Sequence, residues 1–247
     1  MSDPDVVAGR RAALEAVRSG RATELLVATG SRETPGLREL LGAARQAAVQ
    51  VREVPRAELD RLAEDHRGAV ARVRAAPELS ERDLGTWPFA DDALVVLLDG
   101  VTDPQNLGAA ARSAEAAGAA MLVTRVHRAA AVTPAAVRAS AGALLHLPHA
   151  RVANITRAIE RLQGAGFFIV GLDGDAPVSV YDEPCPSGRV GLVLGAEGQG
   201  LSRLVREACD ALVALPMRGR VGSLNASASL AAVLYAYVVP SRRESPA

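Results

Sequence analysis

The sequence predicts an α/β fold in two parts: a small amino-terminal α/β domain and a larger domain built on a mostly parallel sheet. Three observations carry this. Short apolar runs alternate with segments of helical period along most of the chain, the pattern of strands joined by covering helices. The chain has 247 residues, longer than the ~100–200 of an ordinary single domain. Charge then divides it: residues 1–76 carry 13 arginines against 11 acids, residues 77–99 one against six, and the remainder 14 against 11. The acidic stretch contains Pro77, Gly85 and Pro88 without helical or strand period, as a linker does. The expected boundaries are 1–76 for the first domain, 77–91 for an acidic linker and 92–247 for the second.

The elements follow in order. In the first domain, Ala8 to Val17 has helical spacing and Glu24 to Ala28 reads as a strand. Pro35 to Ala48 is a helix whose proline stands where a missing amide hydrogen costs nothing. Val49 to Val54 alternates at period two, Pro55 to Ala63 opens another helix, and Ala69 to Val73 closes the unit as a strand. In the second domain, strands are expected at Ala93–Leu98, Ala119–Val123, 167–171, Val190–Leu194 and Ala211–Leu215. Helices are expected at Leu107–Ala117, 133–141, 154–163, Ser202–Ala208 and Asn225–Val238, with an apolar piece at 143–147. Ligands of such parallel sheets sit beyond the carboxyl ends of strands, and the polar motifs of this chain fall there.

Composition excludes several chemistries. Hydrophobic residues make up 49% and charged residues 23% of the chain, enough for a packed core. The 28 basic residues balance 28 acids and are all arginine. Without lysine there is no Walker phosphate loop, Schiff-base enzyme or lysine base, and the guanidinium is the tool left for gripping phosphate. Cys185 and Cys209 form no Cys-x-x-Cys pair, which fits a reducing compartment. His146 and His149 lack evident partner ligands, so no metal is expected. The amino terminus lacks a secretory pattern and no apolar run is long enough to span a membrane. The expected location is the cytoplasm.

Three loops hold the densest polar chemistry. The first runs Asp99-Gly-Val-Thr-Asp-Pro-Gln-Asn106-Leu-Gly-Ala-Ala-Ala-Arg112. Asn106 is expected to cap the helix that follows, with Arg112 on a different side of it. Taken alone, this is equally a capped helix carrying a solvent-facing arginine. The second, Gly195-Ala-Glu197-Gly-Gln-Gly200, follows a buried strand; its glycines permit positive dihedrals and expose amide hydrogens. Its spacing is not the dinucleotide fingerprint, and an ordinary strand–helix turn reads as well. The third, Leu215-Pro-Met217-Arg218-Gly-Arg220-Val-Gly-Ser223-Leu224-Asn225, concentrates Arg218, Arg220, Ser223 and Asn225, donors that suit a phosphate and a ribose hydroxyl.

Together, in this order, the three loops resemble the SpoU (TrmH-type) RNA 2′-O-ribose methyltransferases of the SPOUT superfamily, over about residues 92–240. The stretch Val7-Ala-Gly9-Arg-Arg-Ala-Ala-Leu-Glu-Ala-Val17 with Arg21-Ala-Thr-Glu-Leu-Leu-Val27 is similar to the ribosomal-protein-like RNA-binding domain of the RlmB-like subgroup. Asp65-His66-Arg67-Gly68 departs from it, since Arg67 stands where that subgroup often has glutamine. The resemblance implies a SPOUT catalytic domain with a carboxyl-terminal trefoil knot and S-adenosyl-L-methionine as cofactor. Gly195, Ala196, Leu215, Met217 and Leu224 would bind it.

The implied reaction moves a methyl group from sulfonium to a ribose 2′-hydroxyl, which needs proton removal or stabilisation of developing charge. Arg112 matches the arginine proposed as base in the family. Because arginine does not deprotonate in proteins, the physically safer role is to orient the hydroxyl or phosphate and stabilise the alkoxide. Asn106, Glu197, Ser223 and Asn225 match the other catalytic positions, with a structural role for Glu197 also open. Arg10, Arg11, Arg218 and Arg220 are the expected RNA contacts. Relatives implied by the resemblance are homodimers in which one subunit completes the other's site. The expected substrate is 23S ribosomal RNA, at a guanosine. The alternatives are transfer RNA, a ribosomal site of antibiotic resistance, or a non-catalytic RNA-binding assembly factor.

Overall fold

A computed structural model describes residues 6–63, 65–74, 79–196, 198–220 and 222–242. The chain folds as two units: the described residues before position 75 together with 131–146, and those of 79–130 together with 147 onward.

The first unit is built on strands β1 (Val6–Ala8), β2 (Ala22–Ala28), β3 (Gln50–Val54) and β4 (Ala69–Val73), in the order β1-β4-β2-β3. Only β2 and β3 run parallel. Helices α1 (Arg10–Arg18), α2 (Pro35–Gln46) and α3 (Arg56–Leu62) lie between them in sequence. α1 buries Ala12, Ala13, Leu14, Ala16 and Val17, the one-sided stripe its period announces. Thr34 caps α2 by accepting from the Leu37 amide, with Pro35 in the first turn. β1 is missing from the sequence reading because three residues are too few to show a period, and its Ala8 was absorbed into the helix. The loop before β4 places Asp65, Arg67 and Gly68 at positive φ. It is held by buried His66, whose Nδ1 accepts from the Gly68 amide at 2.9 Å while Nε2 meets Asp60 Oδ1 at 2.9 Å. The accepting Nδ1 places the ring proton on Nε2, facing the carboxylate.

The second unit holds a six-stranded, wholly parallel sheet. In chain order its parts are β5 (Leu94–Asp99), α4 (Pro104–Ala116), β6 (Met121–Arg125), then, after a segment belonging to the first unit, β7 (His149–Val152), α6 (Ile155–Gly164), β8 (Phe168–Leu172), β9 (Val190–Gly195), α7 (Arg203–Ala208), β10 (Ala211–Val213) and α8 (Ala226–Val233). The intervening segment contributes α5 (Pro134–Ala139) and a 3₁₀ turn at Ala143–Leu145 to the first unit. There Gly142, at φ +95°, lies so close to α1 that a Cβ would meet Glu15 Cβ at 2.5 Å. Strand order is β10-β8-β9-β5-β6-β7. All residues of β5 and β9 are buried, as strands covered on both faces must be.

Several details differ from the sequence reading. The acidic stretch at 79–91 is folded into the second unit. Leu79 bridges Ala150 beside β7, Asp83–Gly85 form a 3₁₀ turn, and Leu84 and Phe89 join the core, Phe89 edge-on to Phe167 at 4.8 Å. Its acids are partly engaged as well, Glu81 pairing with Arg157 at 3.3 Å and Asp83 accepting from the Ser80 amide at 2.6 Å. Strand β7 was unread because His149 and Arg151 alternate with only two apolar residues. The last helix is not uniform: after α8 the backbone widens to a π-helical stretch at Leu234–Val238 before α9 (Val239–Arg242).

Candidate active site

The sheet of the second unit changes direction at its centre. β5 leads through α4 to β6 on one side, whereas β9 and β8 lie on the other. At such a switch point neighbouring loops diverge and leave a crevice. Asp99, the last residue of β5, stands in register with Gly195, the last of β9. The first and second loops therefore start side by side.

Asn106 does not cap α4. The cap is Asp103, whose carboxylate accepts from the amides of Gln105 and Asn106 at 3.2 Å each, with Pro104 following it. Asp103 stands one residue before the first helical position, where an acceptor reaches two orphan amides. Asn106, one turn in, has its side chain released for another contact: its Oδ1 accepts from Asn225 Nδ2 at 2.9 Å. Asn225 caps α8, its own Oδ1 accepting from the amide and hydroxyl of Ser227 at 2.9 and 2.7 Å. One amide side chain thus starts a helix and ties the third loop to the first. Asn225→Asp keeps the acceptor and loses the donor. Its unfolding midpoint should stay near wild type while Asn225→Ala loses ~1 kcal/mol of stability, and both should impair any reaction that uses Asn106. Urea titration beside an activity assay checks this.

The second and third loops line a cavity of about 320 Å³, within the ~300–1,000 Å³ of small-molecule pockets. Gly195, Ala196, Leu215, Met217 and Leu224 all line it, as does Ser223. The sequence reading missed its opposite wall, Leu172 to Asp175 after β8, although an Asp-Gly-Asp run at a strand's carboxyl end was a usable signal. Asp173 is buried there, accepting from Arg206 Nη2 at 2.8 Å and the Asp175 amide at 2.9 Å. The second loop closes on itself through two backbone bonds between Ala196 and Gly200, with Gly198 and Gly200 at positive φ. A Cβ at Gly195 would overlap the Gly200 carbonyl and the Leu201 amide. This glycine is required by close backbone approach.

Alongside lies a second cavity of about 440 Å³ that shares Ala196, Gln199, Gly200 and Ala226 with the first. Asn106 lines it, together with Asp99, Arg125 and Arg128. Arg112 is exposed on α4 and lines neither cavity. Arg218 and Arg220 are exposed in the third loop, and Arg11 is exposed in the first unit. Arg10 spends its guanidinium internally, donating to the Arg67 carbonyl at 3.1 Å and Thr34 Oγ1 at 2.6 Å. Glu197 lies outside the described residues.

Other candidates have structural partners. His146 meets Glu15 Oε2 at 3.1 Å and His149 meets Thr124 Oγ1 at 2.8 Å, in different units. Burial, with Asp210, Asp173 and Asp99 nearby, pushes the Cys209 thiol up to about 12, so it is no nucleophile at neutral pH. Among the described residues no helix is long and apolar enough to cross a membrane.

The chain resembles known proteins throughout. Residues 93–235 match the SpoU rRNA methylase family and residues 6–79 match the RNA 2′-O ribose methyltransferase substrate-binding family. An uncharacterized tRNA/rRNA methyltransferase of Mycolicibacterium vanbaalenii is 41% identical, over 98% of this chain and 78% of that one. The 23S rRNA (guanosine-2′-O-)-methyltransferase RlmB of Photobacterium profundum is 39% identical, over 83% and 84%. In three dimensions the chain is similar to the SpoU methyltransferase AviRb from Streptomyces viridochromogenes in complex with the cofactor AdoMet. The TM-score is 0.78 at 32% identity, covering 97% of this chain and 91% of that one. With the expected loops gathered on one crevice and the family pattern spanning more than half its length, the chain belongs to the SpoU rRNA methylase family.

Proposed function

We propose that this protein methylates the ribose 2′-hydroxyl of a guanosine in 23S ribosomal RNA, using S-adenosyl-L-methionine. The observation that carries this is the meeting of the sequence-distant second and third loops on one cavity, with the first loop tied to the third beside it through Asn106 and Asn225. The residues fit the cofactor. Leu215, Met217 and Leu224 offer an apolar slot for a purine, flanking backbone groups offer donors and acceptors, and Gly195 leaves the wall thin enough for the loop to close. When bound, S-adenosyl-L-methionine supplies an electrophilic methyl group.

The protein's own residues do the rest. Asn106 and Asn225 orient the ribose, Ser223 holds it at the rim, and Arg112 stabilises the charge that develops on the 2′-oxygen. Glu197 completes the set from the second loop. Since Arg112 lines neither cavity of its own chain, it serves the cavity of a second subunit, and the enzyme is a homodimer. Tyr235, 51% exposed in the π-helical stretch after α8, and the exposed side of α4 supply surface for that pairing. The third loop leaves edge strand β10 and returns to Asn106 at the sheet's centre, a path that supports a trefoil knot. Residues 1–76 are the RNA-binding domain, in which Arg11 contacts phosphates and Arg10 braces the surface beside it; Arg218 and Arg220 contact phosphates from the third loop. The enzyme works in the cytoplasm, with its ribosomal substrate.

Mass-spectrometric mapping of 2′-O-methyl groups in RNA from cells with and without the gene tests this. One 23S guanosine should lose its methyl group. Loss from transfer RNA instead would redirect the assignment, and an unchanged map with no cofactor binding by calorimetry would overturn it.

A further inference from the structure

We propose that the second cavity seats the phosphodiester beside the target ribose, with Arg125 and Arg128 as the positioning residues that grip it. This rests on the ribose-methylation reading and specifies how that site holds its substrate. The cavity shares four residues with the cofactor pocket, so its occupant lies next to the methyl donor. Its volume, about 440 Å³, accommodates a sugar with a flanking phosphate.

The charges along its wall are unequal in availability. Asp103 is committed to capping α4 through both oxygens. Asp99, only 4% exposed, accepts from Arg125 Nη1 at 3.3 Å and from the Ser202 amide at 3.3 Å. That pair fixes Arg125 at the carboxyl end of β6 and leaves the rest of its fork of donors to face the cavity. Among the described residues the exposed Arg128 guanidinium makes no hydrogen bond or ion pair. Its backbone sits at φ +55°, a conformation that residues with a Cβ disfavour and that collects at functional sites. The acids are therefore satisfied internally, while one guanidinium is oriented and another is presented. Two guanidinium forks suit the paired oxygens of a phosphodiester; the guanine edge that carries the N2 amino donor would call for acceptors as well.

The test compares wild type, Arg128→Gly and Arg128→Lys on deproteinised ribosomal RNA from cells lacking the gene. Arg128→Gly removes the guanidinium and relieves the left-handed backbone, so it should fold at least as well as wild type. Its KM for RNA should rise ~10-fold, its affinity for S-adenosyl-L-methionine should stay unchanged, and the slope of log affinity against log salt should weaken by about 1. Arg128→Lys keeps the charge and should retain the salt slope while losing part of the affinity. Arg125→Lys, which preserves a cation beside buried Asp99, should behave likewise. Unchanged KM and salt slope in Arg128→Gly would overturn the proposal, as would a loss confined to cofactor affinity. A wild-type enzyme that leaves ribose unmethylated would instead defeat the parent reading.

Discussion

Replacing Gly195 with alanine is expected to abolish cofactor binding while leaving most of the sheet folded. The added Cβ would enter the Gly200 carbonyl and the Leu201 amide, both backbone groups, so no flexible side chain can swing aside. Overpacking of this kind costs ~1–3 kcal/mol where side chains can adjust; here the second loop itself must move, and with it the pocket wall. A fall of at least ~100-fold in affinity for S-adenosyl-L-methionine corresponds to ~2.7 kcal/mol and is readable by calorimetry. Gly198→Ala is the matched control. A Cβ there meets nothing within 4 Å, although its φ of +77° makes alanine strained by ~1–2 kcal/mol. Gly195→Ala should therefore lose far more binding than Gly198→Ala, with circular dichroism showing both folded. Affinity within threefold of wild type for Gly195→Ala would show that the closed loop does not shape the pocket.

Replacing Arg112 with alanine should lower turnover ~10³-fold, the scale of removing one donor that stabilises developing charge. Because Arg112 lines neither cavity, cofactor affinity should be unchanged. The two variants together test the dimer. In a mixed dimer of Arg112→Ala and Gly195→Ala subunits, the intact pocket of one meets the intact arginine of the other. Random exchange should restore about a quarter of wild-type activity from two inactive parents, since an isologous pairing leaves one working site in each mixed dimer. No recovery on mixing would place Arg112 in its own chain's site or outside the reaction.

How much of this was legible in the sequence depends on where the information resides. The alternation that marks β5, β9 and the helices is local, because burial on both faces writes an apolar run into the chain. The three loops were legible for the same reason: glycine, asparagine and arginine collect where strands end. The helix cap was misread. Asp103 and Asn106 are both good caps three residues apart, and only the backbone shows that Asp103 stands outside the helix and Asn106 within it. Arg125 and Arg128, at and just after the end of β6, have no motif around them, and Asp173 carries only a short Asp-Gly-Asp run; the importance of all three comes from which strands lie adjacent.

Sequence alone determined the α/β class and the arginine-only chemistry, since these follow from composition and from order along the chain, while the residues expected around a cofactor came from the resemblance of its loops to a family. Tertiary structure alone decided that β5 and β9 are neighbours, that Asn225 reaches Asn106 across the crevice, and that residues 131–146 join the first unit. Those are pairings between distant positions, and a linear pattern carries no energy term for a partner it has not yet met.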